Sequence, residues 1–289
     1  MNQQYSVHTS SAQNHTRLLQ ETFQLIRHLI FQLARVDLLP SHQVMVEQRL
    51  MKLVRLSGAR SFHDYLMTLQ REKDPEELEA FVDALTTHET KFFREPRHYE
   101  FVKEVMLPQL SQTRHPLRFW SAASSTGEEA WSLAMVLDSG LQAERMANAA
   151  ILGTDISQRV VDDAGHALYP ADACTRIPPH FQQRYLKMSS DRKLMTIADQ
   201  LRSKVHFACL NLHGPWPMKG QFDLIMCRNV LIYFNQLDRV KLLMRLAHQL
   251  RPGGYLMISQ TETALPSDVP LELVEPSVYQ RAATERTLI

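Results

Sequence analysis

The chain has 289 residues, with 32 basic and 31 acidic side chains for a formal net charge of +1. That balance excludes a general electrostatic attraction to nucleic acid or to an anionic membrane, so no nucleic-acid partner is expected. Hydrophobic content of 44% with 22% charge belongs to a globular chain long enough for one large domain, or for a medium one beside a small one.

In chain order, residues 1–16 carry Ser, Gln, Asn and His with little to bury, and are expected to form a disordered arm without an apolar signal core. Asn14-His15-Thr16 matches a glycosylation acceptor, but without a secretory signal it is a chance match. Residues 17–88 read as a helical N-terminal domain. Leu18, Leu19, Phe23, Ile26, Leu29, Ile30 and Leu33 recur at spacings of three and four, and Pro40-Ser41 opens a second helix that Ser57-Gly58 ends. In that second helix Val46, Leu50, Leu53 and Val54 share one side, with Arg49, Lys52 and Arg55 displaced from it. Two further short helices are predicted over Ser61–Gln70 and from Asp74-Pro75 to Leu85. Residues 17–60 hold seven basic against three acidic side chains, whereas 72–89 are mostly acidic. The basic stretch is either a solvated helix face or a docking surface for an acidic or helical partner.

Residues 89–289 alternate strands with helices of ten to fifteen residues. Strands are predicted at 117–123, 149–155, 204–210 and 222–227, with a last pair near 254–260 and 277–282; helices run over Arg97–Leu110, Gly127–Ser139, Ser157–Ala167 and Gln236–Leu250. This rhythm implies a parallel sheet covered on both faces, binding ligands at the carboxyl ends of its strands. Between about 170 and 204 the rhythm breaks at Pro170, Pro178 and Pro179, which reads as an inserted β-subdomain with a small hairpin. Cys174, Cys209 and Cys227 lie in or beside apolar segments and read as reduced thiols in a cytoplasmic setting. No apolar run is long enough to span a bilayer, so no membrane insertion is expected.

Residues 117–129, Leu-Arg-Phe-Trp-Ser-Ala-Ala-Ser-Ser-Thr-Gly-Glu-Glu, describe the first strand, turn and helix of a nucleotide-type site. The stretch lacks G-x-G-x-x-G and the Lys of a P-loop, and it offers acid where a pyrophosphate needs donors. A ligand with hydroxyls, an amine and a positive centre fits, and S-adenosylmethionine is such a ligand. Asp155 ends the second predicted strand, 28 residues beyond Gly127, placed to accept both ribose hydroxyls of an adenosine or else to cap the helix that follows. Cys227-Arg228-Asn229-Val230-Leu231-Ile232-Tyr233-Phe234-Asn235 puts polar groups at another strand's carboxyl end, either in the cleft or as a capped strand with a core aromatic. Thr86 to Pro96, with Phe92-Phe93-Arg94, is either a packed hinge or a wall of the site bringing Arg94 to a ligand carboxylate. His206, Cys209, His213 and Cys227 fit no structural zinc spacing, so no metal is expected.

Taken together, T-x-x-x-T-x-F-F-R-E (86–95), W-S-A-A-S-S-T-G-E-E (120–129), L-G-T-D-I (152–156), F-D-L-I-M-C-R-N-V-L-I-Y-F (222–234) and L-R-P-G-G-Y-L (250–256) resemble the chemotaxis receptor methyltransferase family, CheR, over roughly residues 20–285. The resemblance implies an α/β fold: a Rossmann-like S-adenosylmethionine-dependent methyltransferase domain with a small inserted β-subdomain, preceded by an all-α domain. It further implies methyl transfer from S-adenosylmethionine, leaving S-adenosylhomocysteine, to glutamate side chains of chemoreceptor cytoplasmic domains. By the same resemblance Thr90 and Arg94 line the cofactor site, Glu128 or Glu129 faces the cofactor's amino-acid portion, and Asp155 binds ribose. Asn211-Leu212 and Asn229-Val230 match the pairs around the adenine and the methionyl end, and Tyr233 matches a tyrosine beside the transferred methyl.

Three positions depart from the family pattern. His88 stands where the family has Asn. Ser259-Gln260-Thr261-Glu262 replaces the usual Gly-His-Ser-Glu. The stretch Lys187–Lys193 is short and has no Gly, unlike members that dock on a receptor's C-terminal pentapeptide, which implies a member needing no such tether. The competing expectations are a methyltransferase of another substrate on the same fold, or a cofactor-binding signalling adaptor without activity.

Overall fold

The computed structural model describes residues 17–262 and 265–282, and the chain divides into two units, Met1–Thr87 and His88–Ile289. The expected arm and the Asn14-His15-Thr16 match lie outside the described residues. No helix of the described residues is long and apolar enough to cross a membrane.

In the first unit, α1 (Gln20–Ala34), α2 (Gln43–Leu56), α3 (Phe62–Glu72) and α4 (Pro75–Leu85) bury their apolar stripes, among them Phe23, Ile30, Leu50, Leu66 and Phe81. The starts are capped as the sequence directs. Ser61 Oγ accepts from Asp64 N at 3.1 Å, and Asp74 accepts from Glu76 N and Glu77 N ahead of Pro75, each cap contributing ~1 kcal/mol. On α2, Arg49 donates to Thr86 O and Thr87 Oγ1, both at 3.0 Å. Its guanidinium therefore ties down the end of the unit, while Lys52 and Arg55 are exposed.

The second unit opens with α5 (Pro96–Phe101), a π-helical turn (Val102–Met106) and α6 (Leu107–Gln112). One continuous helix was expected here; Pro108 has no N–H to offer the Glu104 carbonyl, and the wider turn precedes it. Then follow β1 (Leu117–Ala122), α7 (Glu128–Gly140), α8 (Ala143–Ala147), β2 (Ala149–Asp155), α9 (Gln158–His166), β3 (Leu168–Pro170), α10 (Pro179–Tyr185), β4 (Leu186–Met188) and β5 (Leu194–Ile197). The chain ends with α11 (Asp199–Arg202), β6 (Val205–Cys209), β7 (Phe222–Cys227), α12 (Gln236–Gln249), β8 (Leu250–Met257), β9 (Leu271–Glu275) and β10 (Val278–Arg281).

The main sheet has the order β6-β2-β1-β7-β8-β10-β9, and β6 through β8 run parallel. The expected parallel sheet is corrected at its far edge, where β10 is antiparallel to both β8 and β9. The inserted stretch forms a three-stranded antiparallel sheet, β3-β5-β4, rather than a hairpin alone.

Alternation along each strand sends side chains to opposite faces. Phe119, Ile151, Leu224 and Met257 pack with Trp131 and Leu133 of α7, whereas Trp120, Ile225 and Leu256 pack with Leu242, Leu243 and Leu246 of α12. Strand β1 pairs with β2 on one side and β7 on the other. The chain winds outward from β1 through β2 to β6, then returns to β7. The loops after β1 and β7 therefore flank the point where the winding reverses, which is where such sheets take ligands.

Candidate active site

The loop after β1 is built from left-handed backbone: Ala123 has φ 63°, Ser125 φ 50° and Gly127 φ 93°. A non-Gly residue there costs roughly 1–3 kcal/mol, and such strain persists only where surroundings over-determine it. Here Ser124 N donates to Thr154 O at 2.8 Å, Ser125 N to Asp155 Oδ2 at 2.8 Å, and Ser125 Oγ to His88 O at 2.6 Å. Gly127 has a second reason to lack a side chain. A Cβ there would lie 2.8 Å from Ala164 Cβ and 3.0 Å from the Phe207 ring.

Asp155, at the end of β2, is 5% exposed and accepts from Ser125 N and from Ser157 N, the latter at 3.3 Å. His88 Nδ1 lies 3.5 Å from its Oδ1. Burial pushes the carboxyl's pKa up, opposed by His88 and the backbone donors. Asp155 thus anchors the loop after β1, whereas the next helix is capped by Ser157, whose Oγ accepts from Val160 N at 3.4 Å, so the capping reading of Asp155 is corrected.

The two glutamates opening α7 part company. Glu129 is held by Ser121 Oγ at 2.7 Å and by Arg228 Nη1 at 3.0 Å. Glu128 accepts from Thr126 Oγ1 at 2.7 Å and borders a cleft of about 270 Å³ that Thr90, Phe92, Asp172 and Arg176 also line. Burial raises the pKa of both carboxyls.

Arg228 is the hub behind the site. Its side chain is enclosed, bonded to Glu129, to the Arg94 carbonyl and, at 3.4 Å, to Glu95 Oε2. The sequence places Arg228 beside the cleft; the structure makes it a buried counter-ion for two carboxylates. Asn229, φ 59°, follows it and donates from Nδ2 to Ser259 Oγ at 2.9 Å. Glu95, His98, Tyr99 and Ser259 are participants that sequence reasoning gave no role. Glu95 had a signal as the last residue of its motif, and Ser259 had one as a departure from the family pattern.

His98 lies against this hub, with Nε2 2.7 Å from Ser277 Oγ and Nδ1 3.4 Å from Glu95 Oε2. Burial first, then the Arg228 charge, pulls its pKa down to about 4, against the opposing pull of Glu95. Because the unfolded side chain titrates near 6.5, the stability this neutral His allows is present above that pH and is lost as pH falls towards 4. The loss at pH 5 is expected to be ~2 kcal/mol. Urea midpoints at pH 7.5 and 5 for the parent and His98→Gln check this: the parent should lose more, and equal losses would refute the assignment.

Of the remaining predicted residues, Asn211-Leu212 follow β6, and Val230 and Tyr233 follow β7, at the carboxyl end of the sheet. Arg94 is half-buried and donates to Glu89 O at 3.1 Å. Asn211 Oδ1 accepts from His213 N at 2.9 Å, and Leu212 is buried. Leu210 N, just before them, bonds Asp155 O at 2.7 Å, which ties this loop to the end of β2. Val230 and Tyr233 are half-buried around a 3-10 turn, Leu231–Tyr233, with Tyr233 N on Val230 O at 3.1 Å. Arg49, Lys52 and Arg55 belong to the first unit.

The side chains gathered here are mostly acceptors: the Asp155 and Glu128 carboxylates and the amide oxygens of Asn211 and Asn229. Ser124 Oγ is buried without a hydrogen-bond partner. Carboxyls raised by burial are relieved by a ligand that brings hydroxyl donors or positive charge, and a phosphate would meet repulsion. This set of acceptors fits the hydroxyls and the positive charge of S-adenosylmethionine.

A doubly wound sheet with strained, acid-bearing loops at its switch point defines a nucleoside-binding domain of the S-adenosylmethionine-dependent methyltransferase class. The family description "CheR methyltransferase, SAM binding domain" matches residues 88–278, and "CheR methyltransferase, all-alpha domain" matches 21–86. "Chemotaxis protein methyltransferase" of Borreliella burgdorferi is 32% identical, over 85% of this chain and 89% of that protein. "Chemotaxis protein methyltransferase 2" of Pseudomonas aeruginosa is 34% identical, over 91% and 93%. The "Chemotaxis protein methyltransferase" of Klebsiella aerogenes is 34% identical, over 83% and 82%. The chain belongs to the CheR methyltransferase family, with S-adenosylmethionine as cofactor and chemotaxis as its setting.

Proposed function

We propose that the protein methylates glutamate side chains in chemoreceptor cytoplasmic domains, forming a methyl ester and S-adenosylhomocysteine. The observation carrying this reading is the acceptor-rich loop system around Asp155, Glu128 and Asn229 in a chain whose relatives are chemotaxis methyltransferases.

A glutamate carboxylate, with a reference pKa of about 4.3, is ionised at neutral pH and needs no general base. Bound S-adenosylmethionine supplies a methyl carbon on a positive sulfur. The chain's residues then have to orient and to exclude water. Alignment of carboxylate oxygen and methyl carbon can supply ~7–11 kcal/mol. The attack brings an anion to a cation, so a dry cleft favours the transition state.

Asp155 takes the ribose role, Glu128 the ammonium and Arg94 the ligand carboxylate, with His88, Thr90, Asn211-Leu212 and Val230 as the walls. Glu129 is assigned to holding Arg228. Tyr233 is the group we place beside the transferred methyl. Lys52 and Arg55 are the substrate-side cations, because Arg49 is already engaged on Thr86 and Thr87. In the β4–β5 turn Asp191 accepts from Ser189 Oγ and Lys193 N, and the reading that this member needs no pentapeptide tether rests on the short Lys187–Lys193 stretch having no Gly.

Methyl-transfer kinetics on receptor cytoplasmic fragments test these roles together. Tyr233→Phe should lower kcat about tenfold or more while leaving cofactor affinity within about twofold. Reversing Lys52 and Arg55 to Glu should raise the receptor KM and spare cofactor binding. Fragments with and without a C-terminal pentapeptide should react equally. Unchanged kinetics in both variants would leave the tyrosine in the core and the basic face merely solvated.

A further inference from the structure

We propose that Ser259 is a positioning residue: its hydroxyl fixes which end of the Asn229 carboxamide is offered to the cofactor's amino group, an inference that rests on reading Asn229 as a cofactor-binding residue. Ser259 follows β8 and is fully buried. Its Oγ lies 2.6 Å from Glu95 Oε1, 2.9 Å from Asn229 Nδ2, 3.1 Å from Thr261 Oγ1 and 3.4 Å from Thr261 N. A hydroxyl has one proton, and a carboxylate only accepts. The short contact to Glu95 therefore consumes the proton, and towards Asn229 the serine can only accept. The amide must turn its NH2 to Ser259, which leaves its oxygen on the opposite side as an acceptor.

Each member of this relay is pinned independently. Glu95 is paired with the Arg228 guanidinium, 3.4 Å away, and accepts from Ser259 with its other oxygen. The Ser259 backbone N–H donates to Glu262 Oε2 at 2.7 Å, and Glu262 Oε1 accepts from Leu231 N at 2.8 Å. The strand end bearing Ser259 is thus tied to the loop bearing Asn229, whose left-handed backbone further limits its side chain. An amide oxygen accepts from an ammonium; the NH2 end would repel it. The orientation of a single carboxamide then separates amine-bearing ligands from those without an amine. The family resemblance puts Gly at this position, so the hydroxyl is a device of this chain and Ser259→Gly is a backbone expected to fold.

The test is calorimetry with S-adenosylhomocysteine and with its analogue lacking the amino group, on the parent, Ser259→Ala, Ser259→Gly and Asn229→Ala, with melting temperatures recorded. Both Ser259 variants should bind S-adenosylhomocysteine about tenfold more weakly, and the deaminated analogue within about twofold of the parent. Unchanged affinity for both ligands, or equal losses for both, would overturn the proposal. If Asn229→Ala weakens S-adenosylhomocysteine while the Ser259 variants do not, the relay fails and Asn229 keeps its role. If Asn229→Ala is also silent, the reading of Asn229 itself fails.

Discussion

Asp155→Ala is expected to abolish calorimetric binding of S-adenosylhomocysteine, a loss of at least about a hundredfold, or about 2.7 kcal/mol. Two effects add. The variant removes the carboxylate that we assign to the ribose hydroxyls, and it releases Ser125 N and Ser157 N, which Asp155 holds at 2.8 and 3.3 Å. Without that anchor the left-handed positions at Ala123 and Ser125 lose one of the contacts that offset their strain. Asp155→Asn separates the effects, because its amide oxygen still accepts from Ser125 N while the charge is gone. Binding within threefold of the parent in Asp155→Ala would remove the ribose assignment.

Arg228→Leu is expected to lower stability by about 3–5 kcal/mol, the range for breaking a buried ion pair from one side. The guanidinium is enclosed between Glu129, at 3.0 Å, and Glu95, at 3.4 Å. Removing it leaves two largely enclosed carboxylates facing the same space. The Glu129 carboxyl, already pushed up by burial, then loses the opposing Arg228 charge and rises further, so the folded state tolerates its protonated form and resists the ionised one. Stability of the variant should fall as pH rises through that window, making its deficit larger at pH 8 than at pH 5. Urea unfolding at the two pH values measures this. A midpoint equal to the parent's, or a deficit larger at pH 5, would show that Arg228 is not the counter-ion of the pair. Pairing Arg228→Leu with Glu129→Leu should recover part of the loss, since one uncompensated charge is removed.

The parts legible in the sequence were those with a strong local signal. Buried runs such as Phe222–Cys227 and Ala149–Asp155 read as strands because parallel strands are apolar on both faces. The helices of the first unit read correctly because Ser61 and Asp74-Pro75 announce their starts. The misses have equally physical causes. Strand β9, Leu-Glu-Leu-Val-Glu, lies on the sheet edge with most of its side chains exposed, so neither a buried run nor a clean alternation marks it. The subdomain strands are three or four residues long and gain meaning only by pairing with one another.

In the site, Glu128 and Glu129 are adjacent and identical in type. What separates them is Arg228, 99 residues away in the chain. The same holds for Arg49, which reads as a surface cation until the folded unit brings Thr86 and Thr87 to it. Residue chemistry and spacing found the loops; contacts between distant loops decide which side chain is left for a ligand.

The most direct measurement of the proposed activity is incubation with S-adenosylmethionine labelled on its methyl group and purified chemoreceptor cytoplasmic fragments, followed by mapping of the label. The predicted result is a base-labile label on receptor glutamate side chains, released as methanol, and absent with Asp155→Ala. A protein that binds S-adenosylhomocysteine yet leaves the receptor fragments unlabelled, or that labels a residue other than glutamate, would contradict it.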